Sequence, residues 1–254
     1  SFRSKGIGAS EGGTILGLNE FECKLQVHHR KLGILPPKKR NLRMHLGGRS
    51  EDFISDMWEY WVTDENVFCE NLDKNRKVRE SRKVNAYCIN DKYPNLFVSL
   101  DRDFIDPKHG LSALELKNKT YSSYSKWENK MNPCEVVQLS TQLLVSEYQY
   151  GEICYLIDNT RMEVMNMLYK DAMMLEKKIV SETDLFWRNV LDSRIIMNQI
   201  HHAKTNYNMK LVADLQVQLY SLEPAPEETE AYLDYLTELS REKKSIVPLK
   251  GTDD

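Results

Sequence analysis

No stretch of this chain is apolar for long enough to cross a bilayer, which takes about 20 residues. A membrane anchor is therefore not expected, and the first residues carry no signal-peptide pattern. Cysteine frameworks are missing as well. The five cysteines, at 23, 69, 88, 134 and 154, are scattered and odd in number, and no CxxC occurs. That argues against zinc and iron–sulfur sites and for free thiols in a reducing cytoplasm. An excess of positive charge is also lacking, since the formal net charge is −3. A protein that coats nucleic acid non-specifically carries the opposite balance. A local basic groove around an acidic site stays compatible with it. No internal repeat is visible.

What is present is an ordinary globular composition. The 254 residues are 41% hydrophobic and 29% charged. That is enough for one large core, or for a domain with an appendage.

The stretch that organises the rest is Asn95 to Lys119, NLFVSLDRDFIDPKHGLSALELKNK. Leu96 to Ile105 is rich in Val, Leu, Ile and Phe and reads as a strand. Asp106-Pro107-Lys108-His109-Gly110 supplies turn chemistry, and a second strand resumes at Leu111. Side chains alternate along a strand, so Glu115 and Lys117 share one face while Leu114 and Leu116 point the other way. If the hairpin pairs, Asp101 stands near the height of Glu115. Two carboxylates this close repel unless a cation neutralises them. Oxygen-rich sites suit Mg²⁺, with Mn²⁺ as its substitute. A lysine beside such an ion can orient water or stabilise charge on a phosphate. That is the equipment of metal-assisted phosphodiester hydrolysis. The competing reading is a surface hairpin with solvated charges, because D…ExK triplets also arise by chance.

SLDRDF…LELKNK resembles the core of the PD-(D/E)xK nucleases. The flanking pieces are RSKGIGASEGGTILGLNEF near the start, GGRSE at Gly47 to Glu51, and QLSTQLLVSEYQYGEICYLI from Gln138. In order and spacing they are similar to the YqaJ-type viral recombinases, the group that includes the lambda-type phage exonuclease. The resemblance implies an α/β fold: a central mixed β-sheet flanked by helices, with a helical C-terminal extension. It implies a Mg²⁺-dependent exonuclease that digests one strand 5′-to-3′ from duplex DNA ends. The setting would be phage-type recombination in the host cytoplasm. It also implies a ring-shaped trimer and cooperation with a single-strand annealing protein. Two ions are expected at the site. A restriction-type or junction-resolving endonuclease of the same fold, and an inactive DNA-binding module, are the alternatives.

The resemblance assigns roles residue by residue. Asp101 and Glu115 would bind metal directly, with the main-chain carbonyl of Leu116. Glu51, four residues after Gly47 on a helix, would complete the shell through a water. Lys117 would position the attacking hydroxide. Gln138 and Gln142 lie four apart on one helix face, where amides can hydrogen-bond a phosphate or a metal-bound water. The family places such glutamines beside the metal. Ser10 reads as a helix N-cap, and a helix start with a hydroxyl and a nearby Arg3 can hold an anion. In the family this region holds the terminal 5′-phosphate, and Arg3 and Ser10 match the residues that do so. Ser99 would help hold the DNA's phosphate.

The rest of the chain is less telling. Helices are predicted over Phe21 to Gly33, Leu42 to Trp61, Pro133 to Tyr148 and Asp171 to Met197. Gly17 and Gly151 are expected to stop helices. Val67 to Cys69 is predicted as a short strand. The run Lys74, Arg76, Lys77, Arg79, Arg82, Lys83 reads either as a solvated face or as a grip on the DNA backbone. His28-His29 and His201-His202 are poor joint metal ligands, because adjacent helical residues point about 100° apart. A nuclease domain is expected over residues 1–220. Residues 221–254 would hold a Pro/Glu-rich linker, a short acidic helix and a polar tail.

Overall fold

The computed structural model describes residues 4–127, 130–227 and 229–245. In chain order its elements are β1 (Ile7–Gly8), α1 (Ala9–Ile15), α2 (Lys24–Leu32), α3 (Leu42–Tyr60), α4 (Glu65–Asp73), β2 (Ser81–Lys83), β3 (Tyr87–Ile89), β4 (Leu96–Ser99), β5 (Arg102–Asp106), β6 (Gly110–Lys119), α5 (Tyr121–Ser125), α6 (Pro133–Ser146), β7 (Tyr150–Ile157), β8 (Arg161–Leu168), α7 (Tyr169–Thr205), α8 (Met209–Ser221) and α9 (Glu230–Ser245). The chain forms two compact units, residues 1–12 with 38–181 and residues 13–37 with 182–254. Among the described residues no helix is long and apolar enough to cross a membrane.

The first unit contains a three-stranded sheet, β1-β4-β3, and a five-stranded sheet, β2-β5-β6-β7-β8. The larger sheet is mixed: β6 and β7 run parallel and its other pairs are antiparallel. A parallel pair needs a crossover, and α6 supplies it. Alternation along β6 then sorts the layers. Leu114 and Leu116 pack with Ile54 and Trp58 of α3 and with Phe104, Cys154 and Leu156. Ala113 lies on the opposite face with Gly151, against Leu139 and Leu143 of α6. Each such apolar side chain, taken out of water, stabilises the fold by about 1.5–3 kcal/mol. This mixed sheet with flanking helices is the architecture expected from the sequence.

Three local expectations are corrected. Leu96 to Ile105 is two strands rather than one: β4 belongs to the small sheet and β5 to the large one, and the chain changes sheets at Leu100-Asp101. Val67 to Cys69 is helical, inside α4, because Asp64 caps that helix by accepting from the amides of Asn66 and Val67. Gly151 stops no helix. α6 ends at Ser146, with Glu147 in the left-handed region at φ 60°. Gly151 lies in β7, where a Cβ would stand 2.9 Å from Leu139 Cδ1 and 3.1 Å from Leu143 Cδ2. A glycine there lets α6 approach the sheet.

In the second unit, α2 starts one turn later than expected, with Cys23 as its N-cap residue and Gly33 closing it at φ 77°. Cys23 and Leu25 pack with Ala231 and Tyr235 of α9. His28 and His29 are buried. His28 lies edge-on to Phe186, and burial, then His29, pulls its pKa down to about 4. His29 Nδ1 is 2.6 Å from the Tyr235 hydroxyl, and its Nε2 is 3.2 Å from Glu223. The 221–229 stretch is held rather than free at two points, since Glu227 also accepts from the Lys24 amide at 2.9 Å.

Candidate active site

The site forms where β4 hands over to β5. Arg102 pairs with Leu114 across β5 and β6, so one step back Asp101 stands opposite Glu115. Its Oδ2 accepts the amide of Leu116 at 3.0 Å, which places the carboxylate beside the strand that carries Glu115 and Lys117. Asp101 is pushed up to about 7 by burial and then by the charge of Glu115, against the Leu116 hydrogen bond and Lys117.

Glu115 is held from several sides. Lys117 Nζ lies 2.6 Å from its Oε1. Gln138 Nε2 donates to the same oxygen at 2.6 Å, and Gln142 Nε2 donates to Oε2 at 2.6 Å. Gln138 Oε1 accepts from Lys117 at 3.2 Å, and Gln142 Nε2 also reaches the Ser99 carbonyl at 3.3 Å. The two glutamines therefore share the α6 face that covers the Glu115 side of β6. Burial pulls Lys117 down, but the carboxylates of Glu115 and Glu135 outweigh it and hold the ammonium charged.

Glu51 lies on α3, on the side of the Leu114/Leu116 layer. Burial raises its pKa; Arg102 opposes this and Glu115 adds to it. Among the described residues no three His, Cys, Asp or Glu side chains converge on a metal-sized point. Asp101 and Glu115 feel each other's charge, and Glu51 feels Glu115 and adds to the field at Asp101.

Ser10 is exposed and is the second residue of α1 rather than its N-cap. The amide of Gly8, just ahead of the helix, is taken instead by Glu11 at 2.8 Å. β1 runs parallel to β4, with Gly8 beside Phe97, so the chain leaving β1 toward Ser10 emerges at the Ser99 end of β4. Arg3 lies outside the described residues. The basic run does not form a free cationic stripe. Lys74 pairs with Glu70 at 2.5 Å, Lys77 with Glu59 at 2.5 Å, Arg79 with Glu152 at 3.2 Å, Arg82 with Asp103 at 2.6 Å and Lys83 with Asp52 at 3.2 Å. Those charges serve the unit's own carboxylates.

The sequence reading overlooked Glu135 and Lys119. Glu135 is buried in the first turn of α6, 2.6 Å from Lys119 Nζ and 2.8 Å from the Tyr155 hydroxyl. Two signals were available. Lys119 continues the alternate positions of Glu115 and Lys117, and Glu135 lies three residues before Gln138 on the same helix face.

These residues fit a divalent cation. The donors are hard oxygens on two mutually repelling carboxylates. Beside them Gln142 Oε1 is a buried acceptor without a hydrogen-bond partner. Such an orphan is costly unless something polar meets it.

A family model described as the YqaJ-like viral recombinase domain matches residues 1–149. The crystal structure of LHK-Exo, an alkaline exonuclease from Laribacter hongkongensis, is 13% identical, with a TM-score of 0.60 over 80% of this chain and 96% of that one. LHK-Exo in complex with dAMP is also 13% identical, with a TM-score of 0.58 over 80% and 96%. A phage related exonuclease from Haemophilus somnus 129PT is 9% identical, with a TM-score of 0.49 over 74% and 95%. No curated protein sequence matches. At 13% identity the LHK-Exo likeness establishes a common fold. The family model spans more than half of the 254 residues, and the chain belongs to the YqaJ-like viral recombinase domain family.

Proposed function

We propose that this protein is a divalent-metal-dependent DNA exonuclease that digests one strand 5′-to-3′ from duplex ends in phage-type recombination. The observation that carries the reading is Asp101 accepting the amide of Leu116, which lies between Glu115 and Lys117, at 3.0 Å, with Lys117 2.6 Å from Glu115. Membership of the recombinase family and a fold shared with an alkaline exonuclease support it.

Asp101 and Glu115 would hold Mg²⁺, or Mn²⁺ in its place. The N–H and C=O of one strand residue leave on the same side, so the Leu116 carbonyl is directed toward Asp101 with the Leu116 amide. When bound, the cation polarises the scissile phosphate and makes water a better nucleophile. Gln138 and Gln142 aim the Glu115 carboxylate. Lys117 is an ammonium, so it would orient the attacking water, whose proton leaves to solvent, and meet charge on the phosphate rather than take a proton. Glu51 would hold a water beside the cation. Ser99 and Ser10 receive the terminal phosphate, with Arg3 as its charged partner. Self-association into a ring and hand-over of the surviving strand to an annealing protein belong to the same reading.

The test is digestion of end-labelled linear duplex, beside a covalently closed circle, in Mg²⁺ and in excess chelator. Linear DNA should be consumed from its 5′-phosphorylated ends, faster than from 5′-hydroxyl ends, and the circle should survive. A nicked circle, or full activity in chelator, would sink the reading.

The raised pKa of Asp101 has a second, thermal consequence. A carboxyl whose folded pKa lies above the unfolded value of about 3.9 stabilises the fold fully only below that value. That contribution is lost as pH rises through about 7 in the metal-free protein. A cation that binds the ionised form restores it. Thermal melts at pH 6 and pH 8, with and without Mg²⁺, should therefore show the larger Mg²⁺ stabilisation at pH 8. Equal stabilisation at both would mean that Asp101 does not meet the ion.

A further inference from the structure

Asp101 lies between two strands and belongs to neither, so no sheet ladder sets the orientation of its peptide. The next residue, Arg102, does so. Its Nη1 donates to the Asp101 carbonyl at 2.8 Å. Its Nε donates to Ser55 Oγ at 3.2 Å, and its Nη2 pairs with Asp52 Oδ1. Asp52 and Ser55 are three apart on α3 and share a face. Glu51 is the neighbour of Asp52 on that helix. One planar guanidinium thus ties the peptide of Asp101 to the helix turn that carries Glu51. The Arg102 side chain is only 6% exposed, whereas Asp52 is 74% exposed. Ser55 is itself fixed, with its Oγ 2.7 Å from that of Ser81, and Ser81 donates to Glu59 at 2.8 Å. Lys83, at 3.2 Å, also holds Asp52.

Resting on the metal-site reading above, we propose that Arg102 is a positioning residue for the catalytic centre. It fixes the separation of Asp101 and Glu51 before a cation arrives, so the cation meets a preformed site. An arginine suits this place because three donors of one rigid fork reach three acceptors, two on α3 and one at the junction of β4 and β5. A lysine could satisfy fewer of them at once, and without the planar constraint.

The experiment measures Mn²⁺ affinity by calorimetry, with no DNA present, for wild type, Arg102→Met, Arg102→Lys, Asp52→Asn and Asp101→Asn. Outer-shell changes of this kind typically weaken metal affinity about 10- to 100-fold. Arg102→Met should fall in that range, Arg102→Lys should recover part of the loss, and Asp52→Asn should show a smaller loss in the same direction. The KM for DNA at saturating Mn²⁺ should stay near wild type in all three. Arg102→Met with wild-type Mn²⁺ affinity and only a lowered Tm would make Arg102 purely structural and overturn the proposal. If Arg102→Met does not fold, the exposed Asp52→Asn decides, and wild-type affinity there overturns it equally. Asp101→Asn separates the two levels. With Asp101→Asn binding lost and Arg102 variants unaffected, only the positioning role fails. With Asp101→Asn binding as wild type, the metal reading fails and takes this inference with it.

Discussion

Asp101→Asn should fold as well as the wild type and cleave duplex ends at least about a thousandfold more slowly, a barrier increase of about 4 kcal/mol. The substitution is nearly isosteric. The amide oxygen can still accept the Leu116 N–H, so the local geometry survives. What disappears is the charge that the proposed cation needs. The folded protein holds that charge at a cost, because burial and Glu115 push Asp101 up to about 7. Removing it should leave metal-free stability at pH 8 unchanged or higher. Stability kept and activity lost is the signature of a group that serves chemistry at the expense of the fold. Glu115→Gln is a less clean probe, since its new NH₂ would face the donors of Gln138, Gln142 or Lys117. Lys117→Met should also lose most activity, and the double variant Asp101→Asn/Lys117→Met should be little worse than either alone, because the groups act as a unit. Single-turnover cleavage with matched chemical denaturation curves checks all of this. An Asp101→Asn protein that cuts at more than about a tenth of the wild-type rate would place the chemistry elsewhere.

Glu152→Ala should cost stability instead, by about 3–5 kcal/mol, the range for removing one partner of a buried pair. Glu152 is buried in β7 with four donor contacts from three residues. Trp58 Nε1 donates at 2.8 Å and the Tyr150 hydroxyl at 2.9 Å. Arg79 Nη1 lies 3.2 Å from Oε2 and 3.4 Å from Oε1, with its guanidinium 3.9 Å from the centre of the Trp58 ring. Deleting the carboxylate leaves the Trp58 and Tyr150 donors unmet and a largely buried cation unpaired. Arg79→Met/Glu152→Leu should lose much less than the sum of the single changes, since no uncompensated charge remains. Urea denaturation followed by Trp fluorescence gives the numbers. A loss below about 1 kcal/mol for Glu152→Ala would show that this network is peripheral to the fold.

The candidate site was legible in the sequence where short-range periodicity decides geometry. Two-residue alternation put Glu115 with Lys117, and four-residue spacing put Gln138 with Gln142. The structure brings Lys117, Gln138 and Gln142 each into hydrogen-bonding contact with Glu115. Asp101 opposite Glu115 needed only the hairpin register. Non-local pairing was not legible. Nothing in SLDRDF announces that the chain leaves one sheet for another at Leu100-Asp101, because both halves have strand composition. Val67 to Cys69 looked like a strand for its β-branched start, yet the Asp64 cap upstream decided for helix. Gly151 carried the usual signal of a helix end, but the actual reason for it is the approach of Leu139 and Leu143 from another element. Arg102 and Asp52 are 50 residues apart, and a run of charges gives no hint of which ones meet.

The change of sheets at Asp101 also orders events during synthesis. β4 finds a parallel partner in β1, with Leu96 beside Ile7, while β6 finds its own in β7, with Glu115 beside Ile153. Both pairings join distant parts of the chain, and contacts of that kind form slowly. A ribosome making this protein releases Asp101 and Glu115 long before Ile153 is available to complete the sheet beneath them. The hairpin alone can bring Asp101 to Glu115, but the edge of β6 stays open until β7 arrives. A fragment truncated before β7 would therefore expose the unpaired edge of β6, which makes it a substrate for chaperones and proteases.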